Sequence, residues 1–203
     1  MNFRDQTFSF VDIETTGSMF HSDRIIEVAI IKVKNNEIID DYRTLVNPRI
    51  AFNPFITHMT GITESELEEA PQFKDVASTI REKLDNSIFV AHNVSFDYGF
   101  IERSFHELEI PFAMDMLCTV KLSRHLYPEH RRHNLDSVAQ RLNFSIEHRH
   151  RAYDDAFVLY RFYQHLLDNF SDPMLNFALK KLLTTKTNNT QKIISTPTPS
   201  EVL

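Results

Sequence analysis

The sequence predicts an α/β fold: a five-stranded sheet of mixed direction, flanked by helices. Two apolar segments near the start are followed by a tight Asn35-Asn36 turn into a third strand, so the first three strands form an antiparallel meander. Beyond Asn47-Pro48, short strand-like runs alternate with helical stripes, the pattern of strands linked through helices. The chain has 203 residues, 42% hydrophobic and 11% aromatic, enough to bury one substantial core.

Taken in order, Phe8 to Ile13 is mostly apolar and alternates poorly, as a strand buried on both faces requires. RIIEVAIIKVK, from Arg24 to Lys34, is the second strand and Glu37 to Val46 the third. A loop-rich region with short helices follows. Thr63 and Glu66 form a capping box ahead of SELEEA, and Pro71 closes that helix. Phe73, Val76, Ala77, Ile80 and Leu84 make a helical stripe, and Ile88 to Ala91 reads as the fourth strand.

Ser95 is expected to cap a helix running to about Leu108 that buries Phe96, Phe100, Ile101 and Phe105. Met114 to Cys118 is the fifth strand. Helices are expected at about Thr119–Leu126 and Leu135–Leu142, then a strongly amphipathic one over Asp154–Phe170, and Pro173 starts a last one through MLNFALKKLL. The final twenty residues hold six threonines, two prolines and no aromatics, the composition of a disordered tail. The expected divisions are therefore a main domain over 1–172, a C-terminal helix over 173–183 and a tail over 184–203.

Composition narrows the class. The lone Cys118 rules out an internal disulfide and fits a reducing cytoplasm. MNFRDQTFSF lacks the basic-then-apolar order of a secretory signal, and no apolar run approaches the ~18 residues of a membrane span, so a cytoplasmic protein without membrane contact is expected. Net charge is −6, yet residues 121–151 carry seven Lys or Arg against three acids, together with five of the ten histidines. An acidic chain can thus present a locally cationic face to a phosphate backbone.

Four acids and one histidine carry the chemistry. Asp12 and Glu14 are two apart at a strand end, so both leave the same face. Asp97 stands in the first turn of the helix after the fourth strand, where α/β sheets place ligand groups and where an acid also complements the helix dipole. His92 and Asn93 at that strand end read as loop-shaping hydrogen bonders. His150 and Asp155 flank the start of the long helix. The inward stripe through Ala152, Leu159, Phe162 and Tyr163 selects Asp155, leaving Asp154 near solvent as a capping acid, while His148 competes with His150 on chemistry alone. No HxxxH or CxxC pairing supports zinc. Hard oxygen ligands beside a base active near neutral pH are what divalent ions need to hydrolyse a phosphodiester.

FVDIETTG, AHNVSFDYGFI and HRAYDDA resemble, in order and spacing, the three motifs of the DEDDh 3′–5′ exonuclease family, the family of the epsilon proofreading subunit of bacterial DNA polymerase III. RIIEVAIIKV, NPFITHMTGIT and HNLDSVAQRL between them are similar too, and the likeness covers about residues 6–170. It implies a ribonuclease H-like fold and release of nucleoside 5′-monophosphates from single-stranded DNA or RNA 3′ ends. It further implies two Mg²⁺ or Mn²⁺ ions held by Asp12, Glu14, Asp97 and Asp155, with His150 as general base through the pattern His150-Arg151-Ala152-Tyr153-Asp154-Asp155. Thr15 and Thr16 would hold the terminal nucleotide. DNA proofreading or repair is the expected role. RNA trimming, a polymerase-associated assembly subunit and a phosphodiesterase for small nucleotides are the competing ones. A DNA polymerase subunit is the expected protein partner, and the sequence leaves the oligomeric state open.

Overall fold

A computed structural model describes residues 2–144 and 150–186. The tail positions 187–203 and His148 lie outside the described residues. The strands are β1 (Thr7–Thr15), β2 (Ile25–Lys34), β3 (Glu37–Leu45), β4 (Ile88–Ala91) and β5 (Met116–Cys118). They form one sheet in the order β3-β2-β1-β4-β5. β1 is antiparallel to β2, and β2 to β3, whereas β4 runs parallel to both β1 and β5. The expected meander and mixed direction are both present. Asn35 and Asn36 turn β2 into β3 with φ of 52° and 64°, the paired positive values that a two-residue hairpin turn demands.

Alternation along β1 divides the molecule. Phe8 and Phe10 face one layer, with Ala29, Ile31 and Val33 of β2 beside them, against helix α7 (Ala152–Asn169). Val11 and Ile13 face the other, with Val28 and Ile30, against α3 (Phe73–Leu84) and α4 (Ser95–Glu107). The period of two therefore puts Asp12 and Glu14 on the α7 side, continuing the Phe8–Phe10 row to the strand's carboxyl end. By the same count Glu27 joins Ala29 and Ile31 on that side.

Phe10 is 2% exposed and its ring lies 5.5 Å from Tyr163 and 6.2 Å from Tyr160, at the centre of the β1–α7 contact. Phe10→Ala is expected to cost about 3–5 kcal/mol, read from the urea midpoint at unchanged slope.

Short helices lie between β3 and β4. α1 (Pro54–Thr60) has Asn53 as its N-cap, Pro54 at the first position and Gly61 in a left-handed cap at φ 73°. α2 (Glu64–Glu69) carries the predicted Thr63–Glu66 capping box. α5 (Thr119–Leu126), α6 (Leu135–Arg141) and α8 (Asp172–Leu182) complete the α7 layer; Leu175, Ala178 and Leu179 of α8 share its core. Among the described residues, no helix is long and apolar enough to cross a membrane.

Three expectations need correction. Ser95 does not cap α4; it is the first helical residue, with Val94 as N-cap and no side-chain cap hydrogen bond. The chain reaches that helix through Asn93 at φ 76°, whose carbonyl accepts from the Phe96 N–H, so a backbone turn replaces the expected side chain. β5 starts at Met116 and not at Met114, because the Met114 N–H donates to the Tyr98 hydroxyl instead of a strand. Thr184, assigned to the tail by composition, exchanges backbone hydrogen bonds with Met116 at 2.8 and 2.9 Å.

Candidate active site

The carboxyl ends of β1 and β4 and the start of α7 meet at one edge of the sheet. β1 brings Glu14 there, 8% exposed, with Asp12 half-buried one side-chain repeat earlier on the same face. A bulge follows, where Glu14 pairs with Glu27 but Thr15 pairs with Ile25. Such an irregularity bends a strand and re-aims its side chains. α7 brings Asp155, 2% exposed, from its first turn, and the loop ahead supplies His150. One carboxylate oxygen each from Glu14 and Asp155 and one ring nitrogen of His150 lie within 4.8 Å of one another, close enough to share a cation.

Asp97 enters from the opposite layer. It sits in the first turn of α4, 4% exposed, and its Oδ1 accepts the Ile13 N–H at 3.3 Å. That bond sets it against β1 between Asp12 and Glu14. Burial pushes its carboxyl up to about 8, its own and the Ile13 N–H oppose that, and the charge of Asp155 adds to it. The Asp155 influence shows that the two acids feel each other across the layers. Charge gathered away from water in this way is relieved by a divalent cation, and the oxygen-rich donor set suits Mg²⁺ or Mn²⁺.

His150 holds a left-handed backbone, φ 65°. For a residue with a Cβ this costs roughly 1–3 kcal/mol and persists only where the surroundings enforce it. The two residues that follow His150, Arg151 and Ala152, are held by Glu27, which the sequence reading missed. Its carboxylate, 3% exposed, accepts from Arg151 and from the Ala152 N–H, each at 2.9 Å. A signal for it existed: Glu27 is the only charged residue within the apolar run IIEVAII, and a charge buried there must be paired. Capture of the Ala152 N–H also explains why α7 begins two residues ahead of the predicted start. Arg151 is consequently the N-cap residue, and Asp154 is a half-buried member of the first turn and not the cap. The inward stripe is as expected, with Ala152, Asp155, Leu159, Phe162 and Tyr163 all buried.

Thr15 and Thr16 border this cluster with their hydroxyls engaged inside the loop. Thr15 Oγ1 donates to the Gly17 carbonyl at 2.6 Å. Thr16 Oγ1 donates to Asp23 at 3.0 Å and accepts the Arg24 N–H at 3.0 Å. A Cβ at Gly17 would lie 2.6 Å from Asp23 Oδ2, so the loop closes tightly there. Arg103 of α4 then ties down the His21 and Asp23 carbonyls at 3.0 and 3.4 Å. His92 is a loop-shaping residue as expected, its Nδ1 sharing a hydrogen bond with Thr119 Oγ1 at 2.9 Å.

The profile of the family described as Exonuclease (RNase_T) matches residues 9–163, a span that takes in all five predicted site residues. The chain belongs to this exonuclease family. Among curated exonuclease-family relatives, a PolC-type DNA polymerase III from Caldanaerobacter subterraneus subsp. tengcongensis is 40% identical over 149 residues, 73% of this chain and 11% of the polymerase. The 3′–5′ exonuclease DinG of Staphylococcus aureus is 36% identical over 151 residues, 74% of this chain and 17% of DinG. The chain thus spans only a small part of the curated relatives it matches. In fold it is similar to E. coli Exonuclease I in complex with a dA16 oligonucleotide, with a TM-score of 0.75 at 16% identity over 85% of this chain and 43% of that one. Exonuclease X in complex with 5′ overhanging duplex DNA superposes with a TM-score of 0.63 at 23% identity, covering 83% and 96%. The ribonuclease H-like fold and the DEDDh family are as the motifs implied.

Proposed function

We propose that this protein is a cytoplasmic 3′–5′ exonuclease that removes nucleoside 5′-monophosphates from the 3′ ends of single-stranded DNA, in proofreading or repair. The observation that carries this reading is the convergence of Glu14, His150 and Asp155, from two elements far apart in the chain, within 4.8 Å. DNA is favoured over RNA on likeness to the polymerase relative, which also makes a DNA polymerase subunit the proposed partner.

Asp12, Glu14, Asp97 and Asp155 would hold two Mg²⁺ or Mn²⁺ ions, which when bound would draw protons off water and stabilise charge on the departing 3′ oxygen. His150 accepts the proton of the attacking water at its ring nitrogen. Asp97, whose pKa burial raises to about 8, would bind an ion as the carboxylate, so metal binding would favour loss of its proton. Glu14 and Asp155 are fixed beside His150 by the β1 end and the α7 start. The Thr15–Thr16 turn, rigid through Asp23 and Arg103, is the floor for the terminal nucleotide. The excess of Lys and Arg between positions 121 and 151 of the sequence would favour the phosphate backbone of the strand.

The test is digestion of matched 5′-labelled DNA and RNA single strands with Mg²⁺, against the same reaction in chelator. Stepwise loss of mononucleotides from DNA, abolished by chelator and by His150→Ala, is expected. Faster loss from RNA would reassign the substrate, and metal-independent or internal cleavage would overturn the reading.

A further inference from the structure

Glu27 has no place in the ligand set, yet it is among the most buried charges in the described residues at 3% exposure. It lies directly across the β1–β2 ladder from Glu14, on the same face. Two carboxylates in that relation repel, and one of them buried is costly unless fully paired. Glu27 is fully paired. Its Oε1 accepts from Arg151 Nη2 at 2.9 Å, its Oε2 accepts from the Ala152 N–H at 2.9 Å, and Arg151 Nε lies 3.3 Å from both oxygens.

An apolar pair in place of both Glu27 and Arg151 would serve stability about as well as a buried ion pair. What an apolar residue could not do is grip the two residues that directly follow His150. Arg151 is held by its side chain and Ala152 by its backbone, so the chain leaving the left-handed His150 is anchored at both of its next two residues. α7 has no N-cap side chain of its own; Glu27 supplies that partner from a strand 125 residues away in sequence. The start of α7 in turn sets Asp155, three residues further on. The same pairing directs the Arg151 guanidinium to Glu27.

We infer that Glu27 is a positioning residue of the active site, which acts through Arg151 and Ala152 to hold His150 and Asp155 against Glu14. The inference rests on the exonuclease reading for its kinetic consequences and on geometry for the rest.

Glu27→Gln keeps the shape but turns one of the two acceptor oxygens into an NH₂ donor, so either Arg151 or the Ala152 N–H then faces a donor. In the full chain, kcat on a 3′-labelled single strand is expected to fall about 10–100-fold, the range for residues that orient ligands. KM should stay within about 3-fold, because strand binding is untouched. Mn²⁺ affinity, measured by electron paramagnetic resonance without substrate, should weaken by about 10–100-fold. Arg151→Gln should lower kcat in the same direction, and the double variant should lose no more than the worse single one, since the two act as a unit. A cooperatively folded Glu27→Gln protein with wild-type kcat and wild-type Mn²⁺ affinity would overturn the inference. If that variant does not fold, Arg151→Gln decides, and full turnover there overturns it equally. A wild-type protein inactive with Mg²⁺ would count against the exonuclease reading alone, because Mn²⁺ affinity still reports on Glu27.

Discussion

Asp155→Ala is expected to yield a folded protein that no longer degrades nucleic acid, with kcat at least ~10³-fold below wild type. Bound divalent ions contribute several kcal/mol of charge stabilisation, and each ~1.4 kcal/mol is tenfold in rate. Asp155 is 2% exposed on the first turn of α7, within 4.8 Å of Glu14 and His150, so no exposed neighbour can readily substitute for it. Folding should survive because the change deletes a buried charge, and its Ala152–Ala156–Leu159 surroundings pack without it. Glu14→Ala should behave alike, and the double variant should be little worse than either single, as expected of groups that act jointly. Single-turnover digestion at saturating Mg²⁺, with circular dichroism as the folding control, checks this. Near-wild-type rates in a folded Asp155→Ala protein would remove the site assignment.

The second large effect is a pH dependence of stability that belongs to the metal-free protein. Asp97 has a folded-state pKa raised to about 8, primarily by burial. The unfolded chain gives up that proton near pH 3.9. Between these values the folded state holds a proton that the unfolded state has lost, so the contribution is complete below about pH 4 and disappears as pH rises through about 8. Relative to Asp97→Asn, which keeps an acceptor for the Ile13 N–H without the charge, the wild type should lose roughly 3–5 kcal/mol between pH 5 and pH 8.5. For a chain of this size that is on the order of 10 °C in Tm. Mn²⁺ should raise the wild-type Tm more at pH 8.5 than at pH 5, and its binding near pH 7 should release protons. Melting curves of both proteins in chelator and in Mn²⁺ test this. Parallel pH profiles for wild type and Asp97→Asn would refute it. Asp97→Asn should also be inactive at every pH, so stability and activity part company at this one residue.

Much of this was legible in the chain order. Local signals were sufficient wherever the physics is local: apolar runs for β1 and β2, Asn35-Asn36 for the hairpin, Thr63 and Glu66 for a capping box, a 3.6-residue stripe for the inward face of α7. The motifs singled out the candidate site residues because spacing of two, and an acid at a helix start, are also local properties. What failed failed at contacts between distant segments. Tyr98 takes the Met114 N–H and shortens β5, and Glu27 captures the Ala152 N–H at the start of α7.

By itself, then, the sequence determined which residues could bind a cation, the family they belong to and the order of the elements that carry them, since periodicity and residue chemistry are written along the chain. Only the tertiary structure decided where α7 begins, that His150 takes a left-handed conformation, and that Glu27 pairs with Arg151 and the Ala152 N–H. The reason is physical. A buried carboxylate must find its donors wherever the fold supplies them, and here they stand 124 and 125 residues away.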